Sequence, residues 1–95
     1  MDINSSGRAS MNSTIIAYSG TVDQVRMSNY LQRYLNGAWT TVNSWNQTTG
    51  GTSASWSKTY YVSSGYSYRL RTYFYMYDGS TIIESTSATS NSVYY

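Results

Sequence analysis

The chain has 95 residues and a net charge of +2, and it contains no cysteine, histidine or proline. This length fits one domain. The composition excludes disulfides, Cys/His zinc sites and nucleophiles activated by a histidine base. Ser, Thr and Asn supply 37 residues and Tyr supplies 12, so aromatic rings must provide much of the buried surface. No apolar run reaches the roughly 20 residues of a membrane-spanning helix, and we expect no membrane insertion.

Alternation of β-forming and polar residues, interrupted by glycine-containing turns, predicts strands along nearly the whole chain. Residues 1–7 are expected to form a flexible lead-in, and residues 8–95 a single domain. The strands are expected at 8–19, 24–35, 38–46, 54–63, 66–77 and 80–88, with a seventh in 89–95. Six or seven antiparallel strands predict an all-β fold, a two-sheet sandwich of the immunoglobulin-like or fibronectin-like kind.

Two turn signals predict the strand registers. Asn36-Gly37 and Asp78-Gly79 are both typical of two-residue type I′ hairpins. The first predicts the pairs Leu35–Ala38, Tyr34–Trp39, Leu31–Val42 and Tyr30–Asn43. The second predicts the pairs Phe74–Ile83, Met76–Thr81 and Tyr73–Glu84. Because a one-residue slip would exchange the two faces of a strand, these pairings also predict which side chains face the core.

The predicted inner faces are aliphatic and the predicted outer faces are aromatic. The inner set is Val25, Met27, Leu31, Leu35, Val42, Leu70, Phe74, Met76 and Ile83. The outer set is Tyr30, Tyr34, Trp39, Trp45, Arg69, Arg71, Tyr73, Tyr75, Ile82 and Glu84.

The aromatic set Tyr30, Tyr34, Trp39 and Trp45 is the candidate ligand-binding site. Flat rings stack on sugar rings, and neighbouring polar side chains such as Gln32 can hydrogen-bond sugar hydroxyls. The alternative is structural, because cross-strand aromatic pairs stabilise a sheet by roughly 0.2 to 1 kcal/mol each. In that alternative, one or both tryptophans turn inward through a β-bulge.

The sequence predicts no catalytic residues, no cofactor and no metal site, so we expect a protein that is not an enzyme. The only acids are Asp2, Asp23, Asp78 and Glu84. Nothing in their order brings two carboxyl groups together as glycoside hydrolysis requires. Glu84 alone lies within a strand, and we expect a surface pair with Arg71. A calcium site built largely from backbone carbonyls is the one metal alternative.

The cations are spread along the chain and form no basic stripe, so we expect no nucleic-acid partner. Arg69 and Arg71, each beside tyrosines, are the one feature that could hold single-stranded nucleic acid. The uncharged run 73–77 (YFYMY) is predicted to form a central strand. The alternative for this run is an edge strand that mediates assembly into a dimer or fibre.

Three segments together resemble a family of small uncharacterised secreted proteins from clostridia and related Gram-positive bacteria. They are Val22-Asp23 leading into a strand that ends at Leu31-Gln32, then the pattern G-x-W-x-x-V-x-x-W from Gly37 to Trp45, and then YV-x-x-GYSYR from residue 61 to 69. The resemblance implies export, a small β-sandwich and no assigned activity. The GYSYR segment also resembles the tyrosine corner of immunoglobulin-like sandwiches, which predicts a structural role for Tyr66 or Tyr68.

These features predict a secreted or cell-surface module that binds a polysaccharide or cell-wall glycan through an aromatic sheet face. The alternative is a structural protein that self-associates into homo-oligomers through edge strands and tyrosine-rich faces. A cell-surface protein is the other partner class we consider. A small cationic toxin or bacteriocin fits the size and charge, but no motif supports it.

Overall fold

The structure, a computed structural model, describes residues 1–17 and 20–95 and is built from β-strands. Their bounds are β1 Asp2–Ile3, β2 Arg8–Ile16, β3 Gln24–Leu35, β4 Ala38–Gly50, β5 Ser53–Tyr61, β6 Ser67–Asp78, β7 Thr81–Thr89 and β8 Val93–Tyr94. The part of strand 8–19 predicted beyond residue 17 lies outside the described residues. No helix that could span a membrane is present in the described part of the chain.

Two antiparallel sheets pack face to face, which confirms the predicted all-β sandwich. The smaller sheet has the order β1-β2-β5, and the larger has the order β4-β3-β6-β7, with β8 also pairing with β6. The predicted seventh strand is present as the short β8, and the eighth strand is the equally short β1, which the sequence does not predict. Asp2 in the predicted lead-in pairs with Ser10, and Val93 near the C-terminus pairs with Tyr68.

The core lies between the sheets and follows the predicted alternation on β3 and β6. Val25, Met27 and Leu31 are fully buried, and Leu70, Phe74 and Met76 are nearly so, while the smaller sheet contributes Ala9, Met11, Ala54 and Trp56. Burying each large apolar side chain contributes roughly 1.5 to 3 kcal/mol relative to its exposure. Leu35 and Val42, also predicted inside, are half-buried. The prediction for Ile83 is wrong, since it is 42% exposed.

Three polar side chains meet in the middle of this core. Ser13 Oγ donates to Asn29 Oδ1 at 2.9 Å, and Thr72 Oγ1 donates to the same oxygen at 2.8 Å. The two hydroxyl oxygens are 2.8 Å apart. Because Ser13 belongs to β2 and the other two residues to β3 and β6, the cluster joins the two sheets. The Asn29 Nδ2 group is buried without a hydrogen-bond partner among the described residues, so the cluster is only partly satisfied. The hydrogen bonds that do form specify how the two sheets pack.

The first hairpin forms as predicted at its turn and departs from the prediction four residues further on. Asn36 and Gly37 both have positive φ, 52° and 81°, as a type I′ turn requires. The pairs Leu35–Ala38 and Tyr34–Trp39 are present. A bulge between Leu31 and Gln32 then shifts the register, giving Leu31–Asn43 and Tyr30–Ser44. The predicted pairs Leu31–Val42 and Tyr30–Asn43 are therefore wrong.

The second hairpin differs from its prediction in both turn and register. Asp78 pairs with Thr81, so the loop is Gly79-Ser80, with φ of 63° at Gly79. A glycine at the first loop position is typical of a type II′ turn. The Asp23 carboxylate accepts a hydrogen bond from the Gly79 N–H at 2.9 Å, which holds the loop in this position.

A bulge between Met76 and Tyr77 adds a further shift in this hairpin. The observed pairs are Phe74–Thr86, Met76–Glu84 and Tyr73–Ser87. The predicted pairs of Phe74 with Ile83, Met76 with Thr81 and Tyr73 with Glu84 are wrong. An extra residue in one strand moves every later side chain to the opposite face.

The predicted tyrosine corner is formed by Tyr68. Its ring is 1% exposed, and its hydroxyl donates to the Ser63 carbonyl at 2.7 Å. The acceptor lies five residues upstream, on the chain that crosses from β5 to β6, as in immunoglobulin-like sandwiches. The hydrogen bond therefore fixes the segment that connects β5 of the smaller sheet to β6 of the larger sheet.

Replacing Tyr68 by Phe should lower the free energy of unfolding by about 1 kcal/mol, because the hydrogen bond from the buried tyrosine to the Ser63 carbonyl is lost. Urea denaturation followed by circular dichroism measures this change. Tyr94→Phe is the matched control, since Tyr94 is 72% exposed, and it should stay within about 0.5 kcal/mol of the wild type. Equal stability of both variants would contradict the corner's role.

Candidate functional site

The outer face of the larger sheet carries six aromatic rings that remain at least partly exposed. We use this name for the side chains of β4, β3, β6 and β7 that point away from the smaller sheet. Its aromatic members are Tyr30, Tyr34, Trp39, Tyr73, Tyr75 and Tyr77. Tyr34 is 42% exposed and the other five are half-buried. The two-residue period of the strands places these rings in rows across adjacent strands.

Three of the four predicted site residues lie on this face, and Trp45 does not. Trp45 pairs with Asn29, whose side chain is fully buried, and so points inward. Its ring centroid is 5.7 Å from that of Trp56 and 5.6 Å from that of Tyr60. The predicted outward position of Trp45 is wrong, because the bulge at Leu31 inserts an extra residue between Trp39 and Trp45. The inward turn through a bulge is the arrangement that the structural alternative foresees for one tryptophan.

One side-chain cluster surrounds Trp39. The Tyr34 ring meets it edge to face, with centroids 5.3 Å apart. The Arg69 guanidinium carbon lies 4.3 Å from the Trp39 ring centroid. Arg69 Nε also donates to Gln32 Oε1 at 2.8 Å. Side chains from β4, β3 and β6 thus hold one another in place, and each cation–π or aromatic pair contributes roughly 0.5 to 1.5 kcal/mol.

A second cluster lies beside it on β3 and β6. Tyr30 and Tyr73 meet edge to face at 5.7 Å, and the Arg71 guanidinium carbon lies 5.2 Å from the Tyr73 ring centroid. A shallow depression of about 370 Å³ lies between the clusters, lined by Tyr30, Gln32, Thr41, Tyr73 and Tyr75. Its walls are aromatic rings, and its polar groups are an amide and hydroxyls. Such a surface fits the apolar faces and the hydroxyls of a sugar chain.

Three cations lie on this face, of which Arg69 and Arg71 are predicted there from the sequence and Arg26 is not. Arg69 and Arg71 are two residues apart on β6 and so share a face. Arg26 on β3 pairs with Tyr75 on β6 and therefore lies on the same face. The sequence contains a signal for this arrangement, since residues at even separation on one strand share a face. The contribution of β3 emerges only from the pairing of the two strands.

The predicted surface pair of Glu84 with Arg71 does not form. Glu84 pairs with Met76, a core residue, and therefore lies on the opposite side of the sheet from Arg71. The bulge beside Met76 is the reason, because it exchanges the faces of β7 from Glu84 onward. The outer face loses its one predicted carboxylate.

The run 73–77 lies within β6, which is flanked by β3 and β7 and is therefore central. The edges of the larger sheet are β4 and β7. All nine residues of β7 are exposed, because the three-stranded sheet does not reach across to cover its inner side.

The smaller sheet has a depression of its own, and its lining differs from that of the outer face. This depression has a volume of about 560 Å³ and is lined by Met1, Asp2, Ser10, Met11, Asn12, Ser57, Lys58 and Thr59. None of these side chains is aromatic. Among residues 1–17 and 20–95, no group of three or more His, Cys, Asp or Glu side chains is placed to hold a metal ion.

No protein-family model, curated protein or solved structure matches the chain. The resemblance to secreted clostridial proteins therefore stays a prediction that rests on its motifs.

Replacing Trp39 and Trp45 by alanine, one at a time, should distinguish the ring on the outer face from the ring that packs against the core. Trp45→Ala should lower the free energy of unfolding by about 3 kcal/mol, because it leaves a cavity against Trp56 and Tyr60. Trp39→Ala should cost about 1 kcal/mol, since it removes one aromatic pair and one cation–π contact at the surface. Urea denaturation of the two variants side by side makes the comparison. A larger loss for Trp39→Ala would contradict the face assignment.

Proposed function

We propose that this protein is a non-enzymatic module that binds a polysaccharide or cell-wall glycan on the outer face of the larger sheet. Tyr30, Tyr34 and Trp39 belong to the binding surface, as the sequence predicts, and Tyr73 and Tyr75 extend it. Trp45 supports the fold behind the sheet.

The observation that carries the proposal is a group of six exposed or half-buried aromatic rings on a sheet face that no strand of the described residues covers. The sandwich is complete without them, because its core lies on the other side of β3 and β6. Contiguous exposed apolar surface of this kind typically marks an interaction site. A flat surface with rings and hydrogen-bonding side chains side by side suits a sugar polymer better than a compact ligand, which prefers a concave pocket.

The rings are also held in place before any ligand arrives. Trp39 contacts Tyr34 and Arg69, and Tyr30 contacts Tyr73. Side chains that are already ordered lose less conformational entropy on binding. This arrangement supports a preformed binding platform.

We place the protein outside the cell or on its surface. The resemblance to secreted clostridial proteins supports this placement, as does a surface rich in Ser, Thr and Asn. A cell-wall glycan would be within reach at that location.

One observation favours self-association as the second candidate function. β7 is a nine-residue edge strand with every residue exposed, and Ile82 and Ile83 are 52% and 42% exposed. An uncovered edge presents unpaired N–H and C=O groups to another strand. In this alternative, β7 of two copies would pair and join their larger sheets.

Sedimentation with insoluble polysaccharides and peptidoglycan tests the proposed function. The wild type should be retained on at least one of these polymers, and Trp39→Ala should reduce the retained fraction about tenfold. Tyr61→Ala is the matched control, because Tyr61 is 69% exposed but lies on β5 of the smaller sheet. It should be retained like the wild type.

Light scattering on the same samples separates the two candidates. A monomer retained on a glycan supports the binding module. Absence of retention on every polymer, together with dimers or longer assemblies in solution, would replace it by self-association through β7.

A further inference from the structure

We propose that the polysaccharide is acidic, with carboxylate groups that pair with arginines on the outer face while the sugar rings lie on the aromatic side chains. This inference rests on the proposed function and names the ligand's chemical class.

The first support is the spacing of the cations. Arg69 and Arg71 are two residues apart on β6, which places their backbones about 7 Å apart. Arg26 lies opposite Tyr75, six residues along β6 from Arg69, or about 20 Å. The three guanidinium groups thus follow the length of one strand pair, with tyrosines between them. A linear polymer with charges at intervals could contact them together.

The second support is that all four acidic residues of the chain lie elsewhere. Asp2 is in the smaller sheet. Asp23 precedes β3 and is engaged with the Gly79 N–H. Asp78 and Glu84 share the inner side of the larger sheet with Met76, by the alternation of β6 and its pairing with β7. The outer face is therefore positively charged, although the whole chain carries only +2.

The third support comes from the ring contacts and hydrogen bonds of the two guanidinium groups on β6. Arg69 rests on Trp39, and its Nε is bonded to Gln32, which leaves its Nη atoms available. Arg71 rests beside Tyr73, and its Nε is buried with no hydrogen-bond partner. A ligand carboxylate would therefore be met by the Nη groups of these arginines, since one Nε is bonded to Gln32 and the other is buried. The two carboxylate oxygens match such a pair of N–H donors.

The same features favour an acidic glycan over single-stranded nucleic acid. A nucleic acid carries a charge on every nucleotide and typically requires a groove with many cations. Here three arginines lie on an open sheet, and the depression between the clusters offers Gln32 and Thr41 to hydroxyl groups.

Affinity electrophoresis and calorimetry with polygalacturonate, alginate and hyaluronate, without calcium, test this inference. Fully methyl-esterified polygalacturonate is the matched neutral polymer, since it keeps the sugar backbone and replaces each carboxylate by an uncharged methyl ester. The wild type should bind at least one acidic polymer. For polygalacturonate, esterification should weaken binding at least tenfold.

The double variant Arg69→Gln/Arg71→Gln should also weaken binding to the acidic polymer at least tenfold. Arg8→Gln/Lys58→Gln is its matched control, because it removes the same charge from exposed residues of the smaller sheet. This control should bind within twofold of the wild type. Thermal melting followed by circular dichroism establishes that each variant is folded.

The outcomes distinguish the two proposals. Binding to neutral and acidic polymers alike, unaffected by the Arg69/Arg71 variant, would overturn the acidic ligand and leave the glycan module standing. Tighter binding to a single-stranded oligonucleotide than to any polysaccharide would overturn the acidic-polysaccharide proposal and indicate a nucleic-acid ligand instead. Binding to neither class of polysaccharide would overturn both proposals.

Discussion

Strand alternation, broken at two β-bulges, is the constraint on which the rest of this structure depends. Each bulge adds one residue to one strand, and each such residue exchanges the two faces beyond it. The bulge at Leu31 turns Trp45 to the inner side, where it packs half-buried against the core, and leaves Trp39 on the outer face. The bulge at Met76 sends Glu84 to the inner side and leaves Arg71 without a carboxylate beside it. The first bulge thus removes one aromatic ring from the outer face of the larger sheet, and the second removes the one carboxylate predicted there.

Features encoded within a few residues could be predicted from the sequence. Asn36-Gly37 fixes its own turn because both positions need positive φ, and the pairing nearest the turn follows from it. The burial of Val25, Met27 and Leu31 follows from the strand period and from their apolar side chains. The donor in the tyrosine corner could be narrowed to Tyr66 or Tyr68 from the local motif alone.

The bulges depend on contacts between residues distant in sequence, so alternation alone misplaces the side chains beyond each bulge. Trp39 and Trp45 are six residues apart and would share a face in a regular strand. Trp45 instead packs against Trp56 and Tyr60 of the other sheet, a contact that the local sequence does not reveal. The loop at Gly79 similarly depends on the carboxylate of Asp23, 56 residues earlier.

The three tryptophans offer the most direct test of the binding surface, because each gives one indole N–H signal in a proton–nitrogen NMR spectrum. Titration of the labelled protein with acidic oligosaccharides should shift the Trp39 signal progressively. The Trp45 and Trp56 signals should stay in place, because those rings lie behind the sheet. Equal shifts of all three signals, or a shift of Trp45 without Trp39, would contradict the assignment of faces and the binding surface built on it.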